Sequence, residues 1–201
     1  MSTWKKIVLG FFALLLIAGG VIYYFNSKDH YDPSKYEATI THAEQADGEL
    51  ASGEQAGHEQ AAGLKKGTHV KLTLPDQFDV AHTIGPEIET LILAFSKGTG
   101  GTVRAFLDEK PGTFLSENKA FFIADISPFP VVLRNTIALP MLRGSSYPVL
   151  LLYEEAMSEA LKNPEQEDKI TVATLVQGVV SELRYISDEA ELAQVFQPGS
   201  P

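Results

Sequence analysis

Residues 89–107 read ETLILAFSKGTGGTVRAFL. The unbroken apolar run over residues 90–95 has the length and character of a strand buried on both faces. A sharp turn, Gly98-Thr99-Gly100-Gly101, is expected next. A helix then begins over residues 102–107, with Thr102 or Thr99 available to cap it. Glycine suits such a turn because it takes positive φ without steric cost. The glycine spacing matches neither a phosphate-binding Gly-Lys-Ser/Thr loop nor a GxGxxG fingerprint.

Working outward, Pro111-Gly112 ends that helix, and AFFIADI (residues 120–126) is a second buried strand. A short helix over residues 131–139 stops before Pro140, because the residue preceding a proline avoids the helical region. PVLLLY (148–153) is a third buried strand. An acidic excursion over residues 154–167 contains a short helix. Residues 170–176 and 179–186 form a hairpin across Gln177-Gly178, and residues 188–196 close the chain as a helix. Upstream, VKLTL (70–74) alternates as a half-buried strand does. Pro75-Asp76-Gln77 is a turn, residues 78–84 give a second short strand, and Gly85-Pro86 punctuates. Buried strands alternating with short helices make an α/β fold with a mixed sheet covered on both faces.

The N-terminal third is different. Residues 7–25, IVLGFFALLLIAGGVIYYF, hold no charge over 19 residues, and about 20 apolar residues span a bilayer as a helix. Lys5 and Lys6 precede the run, while Trp4, Tyr23 and Tyr24 sit where interfacial anchors sit. Residues 1–6 are expected in the cytoplasm, 7–25 as a transmembrane helix, and the rest outside. The competing reading is a cleaved signal peptide, with small residues 18–20 as its cleavage site. Cleavage there would leave VIYYF at the new N-terminus, so the retained anchor is preferred. Residues 26–67 are rich in Ala, Glu, Gln and Gly, and read as a flexible acidic linker holding a folded domain, residues 70–197, away from the membrane.

The order of these elements resembles that of thioredoxin-like proteins across residues 70–196. DQFD (76–79) followed by ETLILAF (89–95) is closest to the peroxiredoxin and membrane-anchored thiol-reductase branch. One departure is the excursion and extra strand between Tyr153 and Val179. The resemblance places Gly98–Gly101 where the family carries its redox cysteines. It places Tyr147-Pro148 where the family has a cis-proline beside that turn, helping to bind extended peptide. Gly98, Thr99, Gly100, Gly101, Thr102, Tyr147 and Pro148 are then the candidate partner groove, with no chemistry of their own.

The chain contains no cysteine. Disulfide exchange requires a thiolate, and serine or threonine cannot replace it. Thiol catalysis, disulfides, Cys-ligated zinc and iron–sulfur clusters are therefore excluded. A net charge of −10 opposes nonspecific nucleic-acid binding. Asp125 ends a buried strand and is expected to cap a turn, with Arg134 and Arg143 near enough in sequence to pair with it. His30, His42, His58, His69 and His82 are irregularly spaced and suggest no metal site. No catalytic residue, cofactor or metal ligand is expected. The expected function is non-catalytic: partner binding, or assembly of an envelope complex, by a domain in the periplasm anchored in a bacterial inner membrane. The alternatives are an enzyme of this fold using non-thiol chemistry, and a histidine-based metal carrier.

Overall fold

The structure, a computed structural model, describes residues 63–197 continuously and, before them, residues 17, 19, 20, 23, 24, 28, 31, 32, 36 and 38–41. Most of the expected span over residues 7–25, and residues 42–62 of the expected linker, lie outside these. Among the described residues no helix is long and apolar enough to cross a membrane.

The strands are β1 (Ala38–Thr41), β2 (His69–Pro75), β3 (Ala81–Ile84), β4 (Thr90–Ala94), β5 (Ala120–Asp125), β6 (Val149–Leu152), β7 (Ile170–Val176) and β8 (Val179–Ile186). The helices are α1 (Lys97–Asp108), α2 (Phe114–Glu117), α3, α4 (Glu155–Leu161) and α5 (Glu189–Val195). Within α3, Val131–Leu133, Arg134–Ala138 and Leu139–Leu142 run on as one helix. The sheet order is β1-β2-β8-β7-β4-β5-β6, with β3 beside β2. β4, β5 and β6 are mutually parallel, β7 is antiparallel to β4, and β8 is antiparallel to β7. This is the thioredoxin-like arrangement: a β-α-β unit, an antiparallel hairpin and a closing helix on one mixed sheet.

The apolar run in β4 divides its side chains between two layers, because successive residues point to opposite faces. Ile92 joins Val103, Phe106 and Leu107 of α1 and Leu192 of α5. Leu91 and Leu93 join Leu72, Leu74 and Ile84 of the β2–β3 hairpin. The helical face is finished by an aromatic trio, Phe106, Phe114 and Phe196, with centroids 5.0–6.2 Å apart. The opposite face is closed chiefly by β2 and β3, together with Leu161 of α4, so the sheet is covered on both faces as the sequence suggests. β2 begins against β8, with His69 opposite Val179, and ends against β6, where Asp76 bridges Leu150. It therefore crosses the sheet from one side to the other.

Three local features bear on the sequence expectations. The hairpin turn Gln177-Gly178 forms where expected, with φ of 53° and 79°; two positive φ values give the turn whose twist matches the strands. The helix expected to stop before Pro140 continues to Leu142. Residues 134–138 take the wider π register, in which Leu139 N–H donates to Arg134 O. Proline cannot donate and crowds the carbonyl four residues back; a π turn just before it relieves that conflict. Finally, part of the expected linker is in the sheet. β1 pairs antiparallel with β2, from Ala38 opposite Leu72 to Thr41 opposite His69, and Tyr36 is buried.

At the far end of β2, the side chain of Gln77, 2% exposed, replaces a neighbouring strand. Its Nε2 donates to Tyr147 O at 2.9 Å and its Oε1 accepts from Val149 N at 2.8 Å. These groups flank Pro148, which has no N–H. Gln77→Ala strands both buried groups, each loss worth about 1–3 kcal/mol. We expect a fall of about 2–4 kcal/mol in unfolding free energy, read from guanidinium unfolding curves. A loss below half a kilocalorie, roughly the level of a neutral surface change, would mean that the edge of β6 does not depend on Gln77.

Candidate functional site

The amino end of α1 and the neighbouring α3 enclose a groove. α1 starts at Lys97 because Ser96 caps it. Ser96 Oγ accepts from Thr99 N at 3.2 Å, and Thr99 Oγ1 accepts from Ser96 N at 3.1 Å. This is a reciprocal capping box with threonine in the place more often held by glutamate. Gly98, Gly100 and Gly101 are consequently helical, and none has positive φ. The turn expected at 98–101 is the first turn of the helix, and the capping residue is Ser96, not Thr99 or Thr102. Thr102 Oγ1 instead donates back to Gly98 O. The Thr99 and Gly100 amides are taken by Ser96 Oγ and Ser96 O, so these two are not open to an anion.

Three glycines in two turns weaken a helix by about 0.8–1 kcal/mol each relative to alanine. Burial of Val103, Phe106 and Leu107 offsets that. Neither Gly100 nor Gly101 has any atom within 4 Å of the position a Cβ would take. Among the described residues, contacts with the rest of the fold therefore give no reason for glycine at either place. What the missing side chains leave is an open helix surface at the edge of the groove.

The groove holds about 140 Å³. Phe122 and Ala124 of β5 and the following Ile126 form its floor, and Phe129, Ala138, Met141 and Leu142 form the wall opposite the glycines. Its polar groups are few. Asp125 is fully engaged: Oδ1 accepts from Ser127 N and Oγ at 2.9 and 2.7 Å, and Oδ2 accepts from buried Ser158 Oγ at 2.6 Å. That is the turn-closing role expected of Asp125. Arg143 does not bind it; Arg143 Nε donates to Gln77 O. Arg134 Nη2 donates to Phe129 O, and its guanidinium lies 5.0 Å from the Tyr153 ring. Arg104 lines the groove; its Nη2 lies 4.0 Å from Asp108 Oδ2, and its buried Nε has no hydrogen-bond partner among the described residues.

Tyr147 and Pro148 lie elsewhere. β6 runs parallel to β5 and β4, so the residues before it sit at the amino end of these strands. The glycines follow the carboxyl end of β4. Tyr147 Oη donates to Asp108 Oδ1 at 2.8 Å, at the carboxyl end of α1. The two halves of the expected groove are thus at opposite ends of one 12-residue helix. The Tyr147-Pro148 bond is trans. The strand that does begin near the glycines is antiparallel β7, with Thr171 opposite Leu93. Of the histidines, His82 Nε2 lies 2.9 Å from Asp76 Oδ2. The wall from α3, the Ser96 cap and Arg104 were not singled out from sequence. Ser96, three residues before Thr99, was the legible signal for the cap.

The chain matches no protein-family model and no curated protein. It is similar to the solution structure of a candidate protein disulfide isomerase from Bacteroides thetaiotaomicron, at 15% identity over 62% of this chain and 80% of that one, with a TM-score of 0.43. It is also similar to the crystal structure of a peroxiredoxin-like protein from Aquifex aeolicus, at 12% identity over 63% and 79%, with a TM-score of 0.42.

Two outcomes follow from the geometry. Gly100→Ala and Gly101→Ala should each raise unfolding free energy, by up to about 1 kcal/mol, in denaturant titrations; a decrease would mean that the helix needs glycine there. For Tyr147, burial, reinforced by the hydrogen bond to Asp108, pushes the phenol up to about 12. The fold favours the protonated form, so this contribution is complete below the unfolded value of about 10 and is lost as pH rises through 12. Tyr147→Phe should lose about 1 kcal/mol at neutral pH. Its stability should also fall less steeply than the parent's between pH 10 and 12. Parallel alkaline slopes for the two proteins would contradict this.

Proposed function

We propose that this protein is anchored by residues 7–25 in a bacterial inner membrane and presents a cysteine-free thioredoxin-like domain in the periplasm. There it binds a protein partner in the groove between α1 and α3, in a non-catalytic role such as envelope-complex assembly. The observation that carries the reading is the pair Gly100 and Gly101, helical, stabilised by nothing around them, and bordering an apolar cavity. A backbone without side chains lets another chain approach closely. Groove chemistry supports a segment that inserts one apolar side chain towards Phe122 and offers a carbonyl or carboxylate oxygen to the exposed part of the Arg104 guanidinium. With no cysteine the domain lacks the nucleophile of thiol chemistry. The Lys5-Lys6 flank supports the orientation of the anchor, and the net charge of −10 argues against a nucleic-acid partner.

A photo-crosslinking amino acid placed at Gly101 or at Met141, in membranes of the source cells, tests this. The same adduct should form from both positions and not from Val176, which is exposed on the β7–β8 turn. Gly100→Trp should abolish the adduct at Met141 while the unfolding midpoint stays at or above that of the parent. Adducts at Val176 alone, or adducts unaffected by Gly100→Trp, would move the interface out of the groove.

A further inference from the structure

α3 carries a second surface that meets the groove only at Met141. Leu133, Ile137 and Met141 recur every fourth residue along it and are 43%, 59% and 48% exposed. Arg134, Ala138 and Leu142 of the same helix are buried, so the exposed trio forms a stripe beside the inward face. Charge distinguishes this region from the rest of the chain. Residues 126–153 contain Arg134 and Arg143 and no acidic residue, within a chain of net charge −10.

The chain's path sets where this helix stands. Lys28 O accepts from Asn135 Nδ2 of α3 at 2.9 Å. Tyr31 stacks on Tyr153 at 4.4 Å and on Tyr36 at 5.4 Å. Its hydroxyl donates to Glu154 Oε1. Tyr36 is buried, donates to Asp79 Oδ1 at 2.6 Å, and leads into β1. The domain thus holds the chain from Lys28 onward. If residues 7–25 span the bilayer, as proposed above, only residues 26 and 27 separate the span from α3. Two residues reach on the order of 10 Å at about 3.5 Å per step, including the flanking bonds.

We infer that α3 lies on the bilayer surface, with Leu133, Ile137 and Met141 in the boundary between headgroups and acyl chains and with exposed Arg143 near anionic lipid. An apolar stripe on a helix without acidic residues is the pattern of an interfacial helix, and basic residues near such a surface are attracted to it. The domain is then held against the membrane rather than away from it. The stripe is the face turned to lipid; the groove, on the α1 side of the same helix and sharing only Met141 with it, remains for the partner.

The absence of cysteine makes single labels simple. The full chain would be reconstituted in phosphatidylethanolamine–phosphatidylglycerol vesicles, with an environment-sensitive fluorophore on Ile137→Cys or Met141→Cys. Val176→Cys, exposed at the β7–β8 turn, is the control, and Leu14→Cys reports on the anchor. Lipids carrying a nitroxide near the headgroup should quench the labels at 137 and 141 about two-fold or more, as expected of a helix sunk to that depth. They should leave Val176 bright. Lipids with the nitroxide deep in the chain should quench Leu14. Quenching at Leu14 without quenching at 137 and 141 overturns the docking and leaves the anchor standing. No quenching at Leu14 overturns the anchor, and the docking is then decided by the other two labels alone. Disulfide-linked dimers through Ile137→Cys, with no quenching, overturn the proposal and assign the stripe to a second copy.

Discussion

The side-chain amide of Gln77 fixes the layer on which both faces of the molecule depend. β2 pairs with the main sheet through a single residue pair at its start, and Asp76 bridges Leu150 just beyond its end. Between those points it lies across the sheet through side-chain packing, which has little directional preference. Its angle is therefore set at the ends. At the far end Pro148 removes one donor from the edge of β6, and Gln77 satisfies the groups on either side of it. Asp76 Oδ1 accepts from Phe78 N and Val80 N, folding the loop back. Arg143, just past α3, donates to Gln77 O. The same knot therefore locates the hairpin layer, the edge strand and the carboxyl end of the helix that walls the groove.

Hydrophobic period made the main sheet legible from sequence. β4, β5 and β6 are runs buried on both faces, and β7–β8 is marked by the two-residue turn at Gln177-Gly178. Elements that failed to read correctly are those in which a local rule is overridden by something distant. Glycines at 98, 100 and 101 favour a turn by propensity, but Ser96 nucleates a helix that the burial of Phe106 and Leu107 carries through them. Pro140 is a stop signal, but a register change just before it lets the packing of Leu139 and Leu142 prevail. Tyr147-Pro148 was assigned by its place in the order of strands. The direction of β6 relative to β4 is a property of pairing, which no local pattern in PVLLLY encodes. β1 was hidden for a related reason: ATIT is too short to stand out in a polar segment, and its stability comes from β2 alongside.

That contrast bears on what the site is. A sequence under selection only for stability would replace a helical glycine that contacts nothing. Alanine at Gly100 and Gly101 would strengthen the helix and meet no neighbour. The glycines are a local conflict between propensity and structure, and such conflicts concentrate where function constrains the chain. Asp125, the most suggestive polar side chain beside them, by contrast accepts three hydrogen bonds from Ser127 and Ser158. The open helix surface at Gly100 and Gly101 leaves the groove accessible from that side.

The strap from Lys28 to Thr41 changes how the acidic segment after it should be understood. With β1 in the sheet and Gly63 back beside Lys162, residues 42–62 connect two points on one body. Their length therefore adds nothing to the distance between the domain and residues 7–25. Closing a longer loop adds only logarithmically to the entropy cost, which makes a long insertion there tolerable. Its acidic residues nevertheless have a physical consequence. A chain of net charge −10 is repelled by an anionic surface in most orientations. The region around α3, with two arginines and no carboxylates over residues 126–153, is the exception. If residues 7–25 span a bilayer, repulsion of the acidic remainder and attraction of exposed Arg143 would both favour the orientation in which Lys28 meets Asn135.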